Sequence, residues 1–154
     1  MVGRNLRAKA IHGQPIPPRL VIRCQRKFGC IRYSYRRRPR QLPVIVEAVG
    51  DSYTEYNQIS VGTGLPTVEG WVVHEWLWRG GYDQPSIRQS DVQQIYESTD
   101  VNEVRSLLQK YSVSYIFVGD LEREKYPNHT QEVFNKIAKI IFQSNDTRLY
   151  KITK

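Results

Sequence analysis

The sequence predicts an α/β domain, a single small sheet with helices packed on it, preceded by a disordered basic leader. Three observations carry this. Two short apolar runs, residues 43–49 and 113–118, each end in Gly-Asp, the pattern of a buried strand running into a turn. Apolar residues recur at helical spacing from Val101 to Tyr111 and again from Thr130 to Ile141. The cationic excess lies in front: residues 1–40 hold twelve Lys/Arg and no Asp/Glu, whereas the remainder sets eleven Lys/Arg against fifteen Asp/Glu.

The chain therefore divides into a basic leader, residues 1–41, and an α/β domain, residues 42–154, long enough for one core. In the leader Pro15, Pro17, Pro18 and Pro39 interrupt any periodicity, and Arg36, Arg37, Arg38 and Arg40 repel one another. Few apolar groups are there to offset chain entropy, so only a short strand at 20–22 is expected. Such an arm binds polyanions non-specifically through residues 4–40 by neutralising phosphate charge, and Phe28, Tyr33 and Tyr35 add stacking faces. It carries no nucleic-acid motif. Cys24 and Cys30 are the only cysteines, and they are too few for a four-ligand zinc site. No apolar run approaches the ~20 residues of a membrane helix, and no apolar signal region follows the positive N-terminus.

Residues 43–49 read as the first strand. Residues 52–59 alternate tyrosines with polar groups and fit no single state. Gly62, Gly64 and Pro66 mark a loop whose glycines supply positive φ, and residues 67–73 read as a returning strand. Ser86 or Ser90 caps a helix through Tyr96 that buries Ile87, Val92, Ile95 and Tyr96. Asp100 and Glu103 have capping-box spacing for the next helix, with Val101, Val104, Leu107, Leu108 and Tyr111 on one face. A strand follows at 113–118, then a helix from Thr130 with Val133, Phe134, Ile137, Ile140 and Ile141 inward. Asn145-Asp146 turns the chain into a terminal strand at 149–152 that pairs with 141–143.

Function concentrates in residues 62–79, GTGLPTVEGWVVHEWLWR, which hold all three tryptophans beside a His-Glu pair and an arginine. His74-Glu75 opens the zinc motif H-E-x-x-H, but position 78 is Trp78, so no metal site is expected. As an acid/base pair His74 and Glu75 suit a transferase or hydrolase; alternatively His74 only bonds a neighbour and orders the segment. Gly62-x-Gly64 lacks the third glycine of a dinucleotide cradle, which Thr67 replaces, and no cofactor is expected. Trp71, Trp76, Trp78 and Tyr82 fit a stacking surface for a sugar, with Glu75 or Arg79 bonding hydroxyls. They fit better a core filled by one or two tryptophans, another touching a partner. If this stretch is extended, Trp76 and Trp78 share a face opposite Glu75. The ligand-binding set is Trp71, His74, Glu75, Trp78 and Arg79, with Arg88, Asp91 and Glu122 second, each also explicable as an ion pair. Asp120, Glu122 and Glu124 follow a strand, where a site or a solvated turn is expected, and Asn128 and Asn145 begin glycosylation sequons.

Four blocks carry a resemblance: VIVEAVGDSY after Pro43, SVGTGLPTVEGWVVHEWLWRG after Ile59, QSDVQQIY after Arg88 and YSVSYIFVGDLEREKY after Lys110. Together they resemble the YYY-domain membrane proteins, large multi-spanning proteins of unknown function similar in organisation to GT-C glycosyltransferases that use lipid-linked sugars. The likeness covers residues 43–152. It implies the soluble C-terminal portion that follows the membrane helices, on the extracytoplasmic side. The catalytic carboxylate of such enzymes lies near their first membrane helices, so the domain is expected to be non-catalytic. Its implied partners are a saccharide or lipid-linked saccharide and a membrane-embedded portion. Residues 1–40 depart from the family pattern, and their composition also fits a truncated or frame-disrupted product.

Overall fold

The structure, a computed structural model, describes residues 42–153 and, as backbone, Leu20–Gln25 and Phe28–Tyr33. The latter are β1 and β2, an antiparallel pair with Leu20 opposite Tyr33 and Gln25 opposite Phe28. The strand expected at 20–22 lies within β1. The rest of the leader, with the disorder and polyanion binding expected of it, falls outside the described residues.

The domain runs β3 (Val44–Val46), α1 (Gln58–Thr63), α2 (Val72–Arg79), α3 (Asp83–Glu97), α4 (Val101–Lys110), β4 (Val113–Val118), α5 (Asp120–Lys125), α6 (Gln131–Ile137), β5 (Ala138–Ser144) and β6 (Thr147–Ile152). The sheet order is β3-β4-β6-β5, with β3 and β4 parallel and the other neighbours antiparallel. Side chains on successive strand positions point to opposite faces. Val46, Ile116 and Tyr150 accordingly join the larger core with Val92, Ile95, Val104, Leu108 and Phe134 from α3, α4 and α6. Ile45, Tyr115 and Leu149 form a smaller core with Ile59, Leu65 and Phe142. Each fully buried aliphatic side chain contributes roughly 1.5–3 kcal/mol.

The helix α4 follows its sequence signals closely. Asp100 Oδ1 accepts the Asn102 N–H at 2.8 Å, and Val104 and Leu108 are buried with Val101, Leu107 and Tyr111 half-buried beside them. The capping box is incomplete, because Glu103 Oε2 accepts from the Ser98 hydroxyl at 2.5 Å instead of reaching back to Asp100.

Elsewhere the boundaries move. The first strand stops at Val46, although the apolar run stays buried to Val49. Beyond it, side chains take over the hydrogen bonding: Ala48 N–H goes to Glu122 and the Val49 carbonyl accepts from Lys125. The expected strand at 67–73 does not form. Thr67 makes a single parallel bridge to Ile45, and the chain then enters α2. Gly62 lies inside α1, whereas Gly64 ends it with φ 70° and needs the conformational freedom of glycine. The helix expected from Ser86 starts earlier, at Asp83, where Pro85 fits the first turn. Ile87 is 48% exposed and not buried as expected. The helix from Thr130 ends at Ile137, because Ile140 and Phe142 pair with β6 in a hairpin turned by Asn145 at φ 50°, with Ile141 at an irregularity between them.

Candidate functional site

The helix α2 begins at Val72, beyond the Thr67 bridge to Ile45. Val72 anchors it in the core, and Gly80 stops it at φ 72° with its N–H on the Trp76 carbonyl. Helical spacing places Trp71, His74, Glu75 and Trp78 at i, i+3, i+4 and i+7, along one face. Their rings form a ladder, Trp71 to His74 at 5.4 Å between centroids and His74 to Trp78 at 5.6 Å. Tyr53, held at φ 62° in the turn before α1, joins it at 5.4 Å from Trp71 and 5.1 Å from His74. The two ends are open: Tyr53 is 83% and Trp78 82% exposed. Trp71 is fixed by its indole N–H, which donates to the Tyr56 carbonyl at 3.3 Å.

The helix also corrects the extended reading in which Trp76 and Trp78 share a face. Trp76 instead packs edge-on against Tyr82 at 6.2 Å, near exposed Val73 and Leu77. Glu75 forms an ion pair with Arg79 one turn on. It is therefore committed to a cation, and His74 makes ring contacts but no hydrogen bond among the described residues. The reading of His74 as a hydrogen-bonding organiser is replaced by one of ring packing.

Of the second-rank residues, one belongs here. Arg88 on α3 reaches Glu69, its Nη1 3.8 Å from the carboxylate and 3.4 Å from the Val68 carbonyl. Asp91 lies one turn on, where it accepts Lys110 Nζ at 2.6 Å and the Tyr111 hydroxyl, tying α3 to α4. Glu122 is at the ends of β3 and β4, accepting N–H groups of Ala48 at 2.8 Å and Gly119 at 2.7 Å. It makes no ion pair among the described residues. Burial pushes its carboxyl up to about 7 against the pull of those amides.

Two residues of the site were not singled out in the sequence. Tyr53 comes from the ambiguous turn. Glu69 is 1% exposed, and neither carboxylate oxygen has a hydrogen-bond partner among the described residues. Burial and the nearby Glu75 charge push it up to about 7, with Arg88 and Arg79 opposing. Only its place between Val68 and Gly70 in an apolar stretch hinted at burial.

A separate polar cleft of about 500 Å³ lies between Ser90, Gln94 and Glu97 on α3 and Thr99 and Glu103 at the start of α4. It includes none of the ladder residues. Among the described residues no three metal-ligating side chains gather, and no helix is long and apolar enough to cross a membrane. No family model, curated protein or solved structure matches the chain.

Proposed function

We propose that this domain is a non-catalytic module that binds or positions a saccharide, free or lipid-linked, on the ring ladder of α2. In this reading it is the soluble C-terminal portion of a GT-C-like membrane protein of the YYY type. The observation that carries the saccharide binding is the pair of open rings, Tyr53 and Trp78, at the ends of a continuous aromatic row. A ring face covers the apolar side of a pyranose, and the adjacent Glu75–Arg79 pair offers acceptors and donors to its hydroxyls. The enzyme reading draws less support, since Glu75 pairs with Arg79 and no carboxylate hydrogen-bonds His74. A packing role has its own observation: Val73, Trp76 and Leu77, at i, i+3 and i+4 on α2, are exposed apolar groups that suit a face against a membrane-embedded portion.

The test is tryptophan fluorescence of the chain titrated with neutral and phosphorylated saccharides, and separately with detergent micelles. A saccharide-specific shift lost in Trp78→Ala supports binding. A response to micelles alone supports packing, and no response to either overturns both.

A further inference from the structure

Glu69 is the least accounted-for group in the domain. A buried carboxylate whose oxygens both lack partners is costly, and buried polar groups in folded proteins are nearly always satisfied. The groups around it do not resolve this. From α3, Arg88 approaches only to 3.8 Å. From α2, Glu75 repels it while Arg79 is engaged with Glu75. Asn57, ahead of α1, donates to the Glu69 backbone carbonyl at 2.9 Å and not to its carboxylate, and its own Oδ1 is likewise buried and unpartnered. The unmet demand is therefore for hydrogen-bond donors. It sits two residues from Trp71, and Glu75, on the ladder face, reaches back to Gly70, where its Oε1 lies 3.2 Å from the position a Cβ would take.

We infer that Glu69 is a ligand-binding residue of this face, its two carboxylate oxygens accepting a pair of neighbouring hydroxyls from a neutral sugar ring stacked on the ladder. The assignment rests on the saccharide reading of α2. Access runs past Arg88, whose side chain is partly exposed and held by two contacts at the long limit for a hydrogen bond or ion pair. Displaced, its guanidinium donates to a sugar oxygen. Two carboxylates, Glu69 and Glu75, balance two guanidiniums, Arg79 and Arg88, so the cluster suits a neutral polyol better than a phosphate or a cation. An ionised carboxylate is the stronger acceptor. Affinity for the sugar accordingly rises as pH passes through about 7, where Glu69 titrates.

The experiment titrates the full chain with maltotriose, cellotriose and mannotriose, and with glucose 6-phosphate as the charged counterpart, by calorimetry between pH 5.5 and 8.5. Wild type, Trp78→Ala, Glu69→Gln and Glu69→Asp are compared, with near-ultraviolet circular dichroism confirming the fold. The expected result is a neutral trisaccharide that binds wild type, with affinity lowered at least about tenfold in Glu69→Gln. Glu69→Asp, which keeps the charge but shortens its reach, falls between, and the rise in affinity with pH disappears in Glu69→Gln. If Glu69→Gln binds as wild type does while Trp78→Ala has lost affinity, the ladder is the site and Glu69 is merely hydrated, which overturns the inference alone. If no sugar binds wild type, the saccharide reading falls and takes the inference with it. Should Glu69→Gln not fold, wild-type affinity in Glu69→Asp is the overturning result.

Discussion

The Glu122 carboxylate accepts the Ala48 N–H at 2.8 Å from 74 residues away in sequence. Its other oxygen holds the Gly119 N–H at 2.7 Å, so one side chain satisfies the backbone where both parallel strands, β3 and β4, leave the sheet. The strand expected through Val49 stops early for this reason: its amide is spent on a side chain and not on a ladder. The Tyr53 turn, α1 and the start of α2 all depend on where that chain leaves the sheet.

Glu122 makes stability fall as pH rises. Its carboxyl is near 7 in the folded chain against an ordinary 4.5, so between those values the folded state holds a proton that the unfolded state has lost. The stabilisation is complete below about 4.5 and is lost as pH rises through about 7. Glu122→Gln cannot titrate and, like the protonated acid, offers a single carbonyl oxygen to the two N–H groups, so the two chains should differ by no more than about 1 kcal/mol at pH 4. Urea denaturation should show the wild-type advantage over Glu122→Gln larger at pH 4 than at pH 8 by on the order of 3 kcal/mol. A pH-independent difference would sink this account.

Gly50→Ala should be among the most damaging single-methyl changes in the domain. A Cβ there falls 2.0 Å from the Tyr56 ring, too close to accommodate without moving it. Tyr56 carries Lys125 over its ring at 4.9 Å, and its carbonyl receives the Trp71 indole N–H. Overpacking of this kind costs about 1–3 kcal/mol. The urea midpoint should drop accordingly, and Trp71 emission should change with it. An unchanged midpoint would show that Tyr56 swings aside freely.

Elements whose signals are local were legible in the sequence. The Asp100 cap and five apolar positions define α4, and Asn145-Asp146 defines the β5–β6 hairpin. The helix α2 was not, since Thr67, Val68, Val72 and Val73 are β-branched and read as strand. Tertiary contacts decided otherwise, Val72 docking in the core and Gly80 ending the helix. The aromatic segment stood out as a candidate site from composition alone, but the partition of its tryptophans required the helical period. Glu69 showed in the sequence only as a charge within an apolar stretch, because its burial depends on the approach of α3.

Tyr96 ties α3 to both parallel strands through one hydroxyl. It donates to the Phe117 carbonyl at 2.7 Å, with the Val46 carbonyl at 3.2 Å, and the ring stacks on Tyr126 at 4.7 Å. Tyr96→Phe keeps the ring and removes the donor, leaving buried carbonyls unmet at about 1–3 kcal/mol. Amide hydrogen exchange should quicken on β3 and β4 while the α4 amides remain protected. Uniform acceleration would mean that the hydroxyl acts on global stability alone.

Trp71 and Trp78 occupy the same helix face, two turns apart, yet their removal should cost very different amounts of stability. Trp78 is 82% exposed and touches the ladder only through His74. Truncation to alanine removes little buried area, so stability should change by no more than about 0.5 kcal/mol, as for other surface positions. Trp71 is half-buried and contacts Tyr53, His74 and the Tyr56 carbonyl. Trp71→Ala releases the turn that presents Tyr53 and costs about 2–4 kcal/mol, toward the range of large-to-small aromatic changes. Fluorescence separates them further, because losing Trp78 removes the most water-exposed emitter and shifts the remaining emission to the blue. Equal destabilisation by the two substitutions would mean that Trp78 is covered in solution, and an exposed ring at the end of the ladder would no longer be available to a ligand.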